Sequence, residues 1–119
     1  MKNLSFLKRF NFALQGICGA WRTESSFRLQ LLAIPLVAVS LVFLRAGATW
    51  WAIIALTSGS VLAAELFNTA LEKLIDQVHP EQHPSIKIAK DCAAGAVLIL
   101  SFTSIFVFIS FLCARFLAE

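Results

Sequence analysis

The sequence predicts an all-α integral membrane protein, with an N-terminal amphipathic surface helix followed by three transmembrane helices. The first observation behind this is composition: 59% of the 119 residues are hydrophobic and 14% are charged. The second is that residues 29–44, 46–64 and 92–114 contain no charged side chain. Soluble helices are rarely apolar on every side, so uninterrupted oily runs of this length read as helices in lipid. The third is the polar, basic segment of 28 residues that precedes the first run. Nothing divides the chain further, and residues 1–119 are expected to form one membrane domain.

The surface helix is expected within residues 1–24. Phe6, Phe10, Ala13 and Ile17 fall on one stripe at helical spacing, while Lys8, Asn11 and Gln15 lie off it. That pattern suits a helix lying in the membrane interface, with Trp21 as an anchor. Gly16, Gly19 and Ala20 would admit a second helix at close range. The first span is expected over 27–45. Its ion-free run is short for a bilayer, but Phe27 and a snorkelling Arg28 extend it. Thr23 and Ser25 are candidate caps at its start. Pro35 should kink rather than break it, because membrane helices tolerate proline. Gly47 marks the turn. The second span, 48–76, should carry a cytoplasmic extension as far as Asp76 or Gln77. A loop over 77–85 follows from two His-Pro pairs, which a continuous helix does not accommodate. The third span is expected over 86–115.

Charge sets the orientation. Lys2, Lys8, Arg9, Arg22 and Arg28 precede the first span, and Lys73, Lys87 and Lys90 lie between the second and third. By the positive-inside rule both regions face the cytoplasm. The N-terminus is then cytoplasmic, and the Arg45–Trp50 connection and the Arg115–Glu119 tail lie on the far side. The absence of an A-x-A pattern argues against a removed signal peptide. The net charge of +3 could serve nucleic acid, but no basic array with interleaved stacking aromatics is present. Membrane lipids with anionic headgroups are the better partner. Cys18, Cys92 and Cys113 are scattered, without C-x-x-C, and read as small packing residues. The abundant Phe residues read as lipid contact and packing.

Chemistry is concentrated in AAELFNTALEKLIDQV. Glu65, Asn68, Glu72 and Asp76 fall at i, i+3, i+7 and i+11, one stripe of a helix. Asp76 reads as a solvated residue at the helix end. Glu65 directly follows the oily run, where an ionisable group is costly and points to function. Glu24 and Arg28, an i,i+4 pair, could form a simple salt bridge. Lys90 and Asp91 stand where the third span re-enters the membrane. Together these place carboxylates, an amide and a lysine at one depth on the cytoplasmic side. Converging carboxylates suit Mg²⁺ shared with phosphates, and a desolvated carboxylate is a usable base for an alcohol proton. The combination fits phosphoryl transfer to a lipid hydroxyl. No G-x-x-x-x-G-K-[ST] occurs. His79 and His83 are each followed by proline, which spoils a zinc-ligand spacing.

Glu65-Leu-Phe-Asn68-Thr69-Ala70-Leu71-Glu72-Lys-Leu-Ile-Asp76 resembles the E-x-x-N-[ST]-A-[LIV]-E-x-x-x-D signature of the prokaryotic diacylglycerol kinases, a family that includes undecaprenol kinases. AWRTESSFR around Glu24, HPEQHP around Glu81 and IKIAKDCAAGAVLI around Lys90 also match in order and spacing. The resemblance implies a homotrimeric helical bundle in the bacterial cytoplasmic (inner) membrane, with active sites between subunits at the cytoplasmic surface. It implies ATP as co-substrate, Mg²⁺ as cofactor and a lipid alcohol as acceptor, diacylglycerol foremost and undecaprenol as the alternative. Glu65 then matches the catalytic base, and Glu24 and Glu72 the Mg²⁺ ligands that bridge ATP phosphates. Asn68, Glu81, Gln82, His83, Lys90, Asp91 and Phe12 match ATP contacts. Arg9, Ala13, Leu14, Trp21, Ser26, Phe27 and Arg28, with Glu65, fall in the lipid-contact region, which extends to Gln30.

Two departures stand out. Phe12 replaces a family tyrosine, so its ring packs but donates no hydrogen bond. Ser5 replaces an arginine, with Lys8 and Arg9 as candidate substitutes. A reading from another class is a small oligomeric ion-coupled transporter using Glu65 and Glu72. Such a protein would more naturally hold its acids near the midplane than at the cytoplasmic end. A purely structural subunit leaves Glu65 without a reason.

Overall fold

The computed structural model describes residues 3–117; Lys2 and Glu119, invoked above for topology, lie outside them. Four helices follow in order: α1 (Phe6–Thr23), α2 (Ser25–Phe43), α3 (Ala48–Val78) and α4 (Pro84–Leu117). The last three are long and apolar enough to cross a membrane. At 31 residues α3 is roughly 46 Å long by helical rise, well beyond the ~30 Å hydrocarbon core. Part of it must therefore project into water.

The helix ends have local causes. Ser5, in extended conformation, caps α1 by accepting a bond from the Lys8 amide at 3.4 Å. The residue that departs from the family arginine thus has a structural task here. α1 stops at Glu24, whose extended backbone (φ −116°, ψ 109°) separates it from α2. Neither expected cap acts at that junction. Thr23 is still inside α1 and its hydroxyl bonds back to the Gly19 carbonyl at 2.9 Å, as helical threonines do. Ser25 is already the first residue of α2, and Glu24 holds the cap position without a side-chain bond. Arg28 instead secures the junction: its Nη1 donates to the carbonyls of Trp21 (2.8 Å) and Arg22 (3.2 Å), which α1 leaves unpaired. No Glu24–Arg28 ion pair forms among the described residues, because the guanidinium is turned toward α1.

α2 continues through Pro35. It ends in a Schellman arrangement, with Ala46 N–H bonded to Leu41 O and Arg45 N–H to Val42 O. The left-handed position belongs to Arg45 (φ 55°), not to Gly47, which has an ordinary φ of −73° and precedes α3. Arg115 Nε reaches across from α4 to the Leu44 carbonyl at 2.8 Å. At the other turn, Pro80 and Pro84 confine the loop to residues 79–83. Proline is favourable at the first helical position, and His83 precedes it as a cap: its Nδ1 accepts from the Ser85 amide at 3.1 Å.

α3 and α4 form an antiparallel hairpin with the most extensive packing, α2 lies against α3, and α1 touches α2 and α3 lightly. The apolar core sits at the end remote from the acidic stripe. There Leu41, Ile54 and Phe111 are buried, and the Trp50 and Phe111 rings meet edge-on at 5.4 Å. Most other large apolar side chains of the three long helices point outward, Leu36, Leu56 and Phe106 among them. Such a surface requires lipid or further helices to cover it.

Candidate active site

Glu65 and Thr69 are the buried polar residues among those described, at 5% and 9% exposure. They stand one turn apart on α3. The α1–α2 junction lies beside Glu65. Ser26, in the first turn of α2, lies near the Glu65 carboxyl, and the charges of Glu24 and Glu72 bear on it. Glu24 and Ser26, at the α1–α2 junction, thus come near Glu65, while Glu72 stands two turns, about 10 Å, further along α3. The extended backbone at Glu24 is what turns α2 back toward α3 after α1.

One turn along, Asn68 Nδ2 donates to Glu72 Oε1 at 2.9 Å and fixes that carboxylate. The other end of the amide, Oδ1, is buried and has no partner. A buried carbonyl oxygen beside an oriented carboxylate offers oxygens only, the donor type a hard divalent cation takes. No three His, Cys, Asp or Glu side chains among the described residues gather as a self-sufficient metal site. Magnesium commonly binds through one or two carboxylates and completes its shell with phosphates and water. Glu24, Glu72 and Asn68 fit that mode of binding.

Asp76, expected to be merely solvated, is bonded to Lys90 across the α3–α4 hairpin. The two residues lie equally far from His83 in the sequence, a register that the hairpin could have revealed. Asp91 turns the other way, to Lys87 at 2.7 Å within α4. Lys90, Asp91, Glu81, Gln82 and His83 nevertheless share a cavity of about 230 Å³ at the loop. In it His79 Nδ1 lies 3.0 Å from the Glu81 carbonyl, and the two histidine rings meet edge-on.

The surface-helix candidates are divided. Ala13 lines a groove of about 560 Å³ between α1 and α3, with Thr69 and Lys73 opposite. Arg9, Phe12, Leu14 and Trp21 are exposed on α1. Phe27 is 2% exposed, so it packs inside the chain and presents no free face to a lipid. Ser26, placed earlier only in a lipid-contact region, lies near Glu65. Its position in the turn after the hinge is the signal that could have shown this.

Comparison with known proteins identifies the family of the chain. Residues 11–112 match the family described as prokaryotic diacylglycerol kinase. A diacylglycerol kinase of Synechocystis sp. is 41% identical over 87% of this chain, which spans 59% of that relative's length. An undecaprenol kinase of Bacillus subtilis is 36% identical over 83% of this chain and 80% of its own. A diacylglycerol kinase of Escherichia coli K12 is 29% identical over 78% of this chain and 76% of its own. The chain belongs to the prokaryotic diacylglycerol kinase family.

Proposed function

We propose that the protein is an ATP- and Mg²⁺-dependent lipid kinase that phosphorylates diacylglycerol to phosphatidic acid at the cytoplasmic membrane surface. The observation behind this reading is the buried Glu65 carboxyl at the oily end of a stripe whose remaining acids run toward water. A lipid hydroxyl approaches from the membrane and a nucleotide from the cytoplasm, and Glu65 lies where the two meet. As the hydroxyl oxygen bonds to the γ-phosphorus, the bond to the bridging oxygen of ADP breaks and Glu65 accepts the hydroxyl proton.

Glu24 and Glu72 would hold Mg²⁺, with Asn68 orienting Glu72 and offering Oδ1 to the same shell. The ion, when bound, neutralises charge on the transferring phosphates. Lys90, positioned by Asp76, and the residues 81–83 line the cavity proposed for the nucleotide. Exposed apolar faces on every long helix support a homotrimer with sites completed between subunits, and the basic residues support a cytoplasmic N-terminus in a bacterial inner membrane.

The Bacillus subtilis relative keeps undecaprenol as the second reading, since it too presents a hydroxyl at the interface. Purified protein given ATP, Mg²⁺ and both lipids in competition decides between them. Transfer of label to diacylglycerol is expected to dominate. Label in neither lipid would remove the kinase reading.

A further inference from the structure

Below Glu65, on the same face of α3, lies a half-open cavity of about 230 Å³ lined by α2, α3 and α4. Val61 and Ser58 line it, one and two helical turns from Glu65, about 6 and 10 Å deeper by helical rise. On α2 the lining begins at Gln30, one turn below Ser26, which lies near Glu65. The cavity is therefore the direct continuation of the candidate active site into the membrane.

Its lining is mostly apolar but contains polar groups whose bonding capacity is not used. Hydroxyls elsewhere on these helices spend their proton on their own helix: Ser40, Ser60, Thr103 and Ser110 each donate to the carbonyl four residues earlier. Ser104 does not. Its Oγ is buried and has no partner. Gln30 Nε2 makes one long bond, 3.4 Å, to Ser101 Oγ across the gap between α2 and α4. At this depth no bulk water compensates an unpaired donor.

We infer that this cavity is an ester-recognition subsite, in which Ser104 and the Gln30–Ser101 pair donate hydrogen bonds to an acyl ester carbonyl of the lipid whose hydroxyl reaches Glu65. An ester carbonyl accepts and cannot donate, which matches the unused donor capacity of the Ser104 hydroxyl and of Gln30 Nε2. The ester carbonyls of a diacylglycerol sit a few bonds from its free hydroxyl, a reach of about one helical turn, ~5 Å. A polyprenol has its hydroxyl but no acceptor at that depth. The inference rests on the kinase reading and deepens it, by naming the groups that would tell diacylglycerol from a polyprenol. Ser101 and Ser104 lie outside the residues matched above to lipid contact, and Gln30 is the last residue of that region.

The test compares kcat/KM for diacylglycerol with that for a chain-matched dialkylglycerol in mixed micelles, using the full-length protein with ATP and Mg²⁺. The ether lipid keeps the hydroxyl and the chains and loses only the carbonyls. Wild type should favour the ester by about tenfold or more, the range one lost hydrogen bond with an unpaired donor left behind would give. In Ser104→Ala that ratio should fall toward one. Should that variant be inactive on both lipids, Ser101→Ala is read the same way. A wild-type ratio near one, a ratio unchanged by the substitution, or turnover of undecaprenol alone would overturn the subsite and leave the kinase intact. Turnover of none of the three lipids would remove the kinase reading, and the subsite with it.

Discussion

At the scale of single residues, position on the helix does not decide role; the partner does. Glu72 and Asp76 sit one turn apart on the same stripe, yet Asn68 holds the first and Lys90 the second. Removing the amide in Asn68→Ala should free Glu72 and lower Mg²⁺ affinity about tenfold or more, as loss of an orienting partner commonly does; a Mg²⁺ titration of activity measures it. The Asp76–Lys90 pair is largely exposed, at 63% and 36%, so Asp76→Asn should alter stability by less than about 1 kcal/mol. It should instead raise KM for ATP several-fold, which separates a positioning role from a structural one. The stripe itself was legible, because helical periodicity alone puts its members on one face. Its partition was not, since Asp76 is claimed by a residue on another helix. Ser26 escaped for the same reason: only the turn at Glu24 brings it to Glu65.

At the scale of elements, the ion-free runs made three long apolar helices legible. Proline at 80 and 84 brackets the loop because it cannot continue one helix and favours starting the next. The α2–α3 turn was read from Gly47, the residue type that usually takes a left-handed conformation. The structure gives that conformation to Arg45, where the Schellman bonds demand it and no sequence signal marks it. A non-glycine residue there is strained by roughly 1 kcal/mol. Arg45→Gly should therefore raise the thermal unfolding midpoint, measured in detergent, without changing turnover at the opposite end of the bundle. Arg28 shows the converse case: a residue expected to pair with Glu24 is spent on the open carbonyls of α1. That leaves the Glu24 carboxylate available to the site.

At the scale of the whole molecule, α1 runs along α3 beside Thr69 and Lys73, and the α1–α2 junction lies beside Glu65. The apolar core lies toward the other end, among Leu41, Ile54 and Phe111. Stability and chemistry are thus placed at opposite ends of the long helices, and the site-bearing end has the looser packing of α1. The topology proposed for this arrangement puts the loop at 79–83 in the cytoplasm. In a variant with Cys18, Cys92 and Cys113 replaced by Ala, Glu81→Cys should react with an impermeant thiol reagent only when it is applied to the cytoplasmic face. Labelling from the outside would invert the topology and separate the nucleotide from its proposed cavity.

The central claim is that Glu65 takes the proton from a lipid hydroxyl at the point where the membrane ends. The most direct test is the rate of phosphate transfer to diacylglycerol by Glu65→Gln, with ATP and Mg²⁺ saturating and the assembly state checked in the same sample. The amide keeps the size of the carboxyl and loses its basicity. Turnover should fall about 10²- to 10⁴-fold while the assembly and the unfolding midpoint stay those of wild type. Turnover close to wild type in an intact assembly would contradict the assignment of Glu65 as the base.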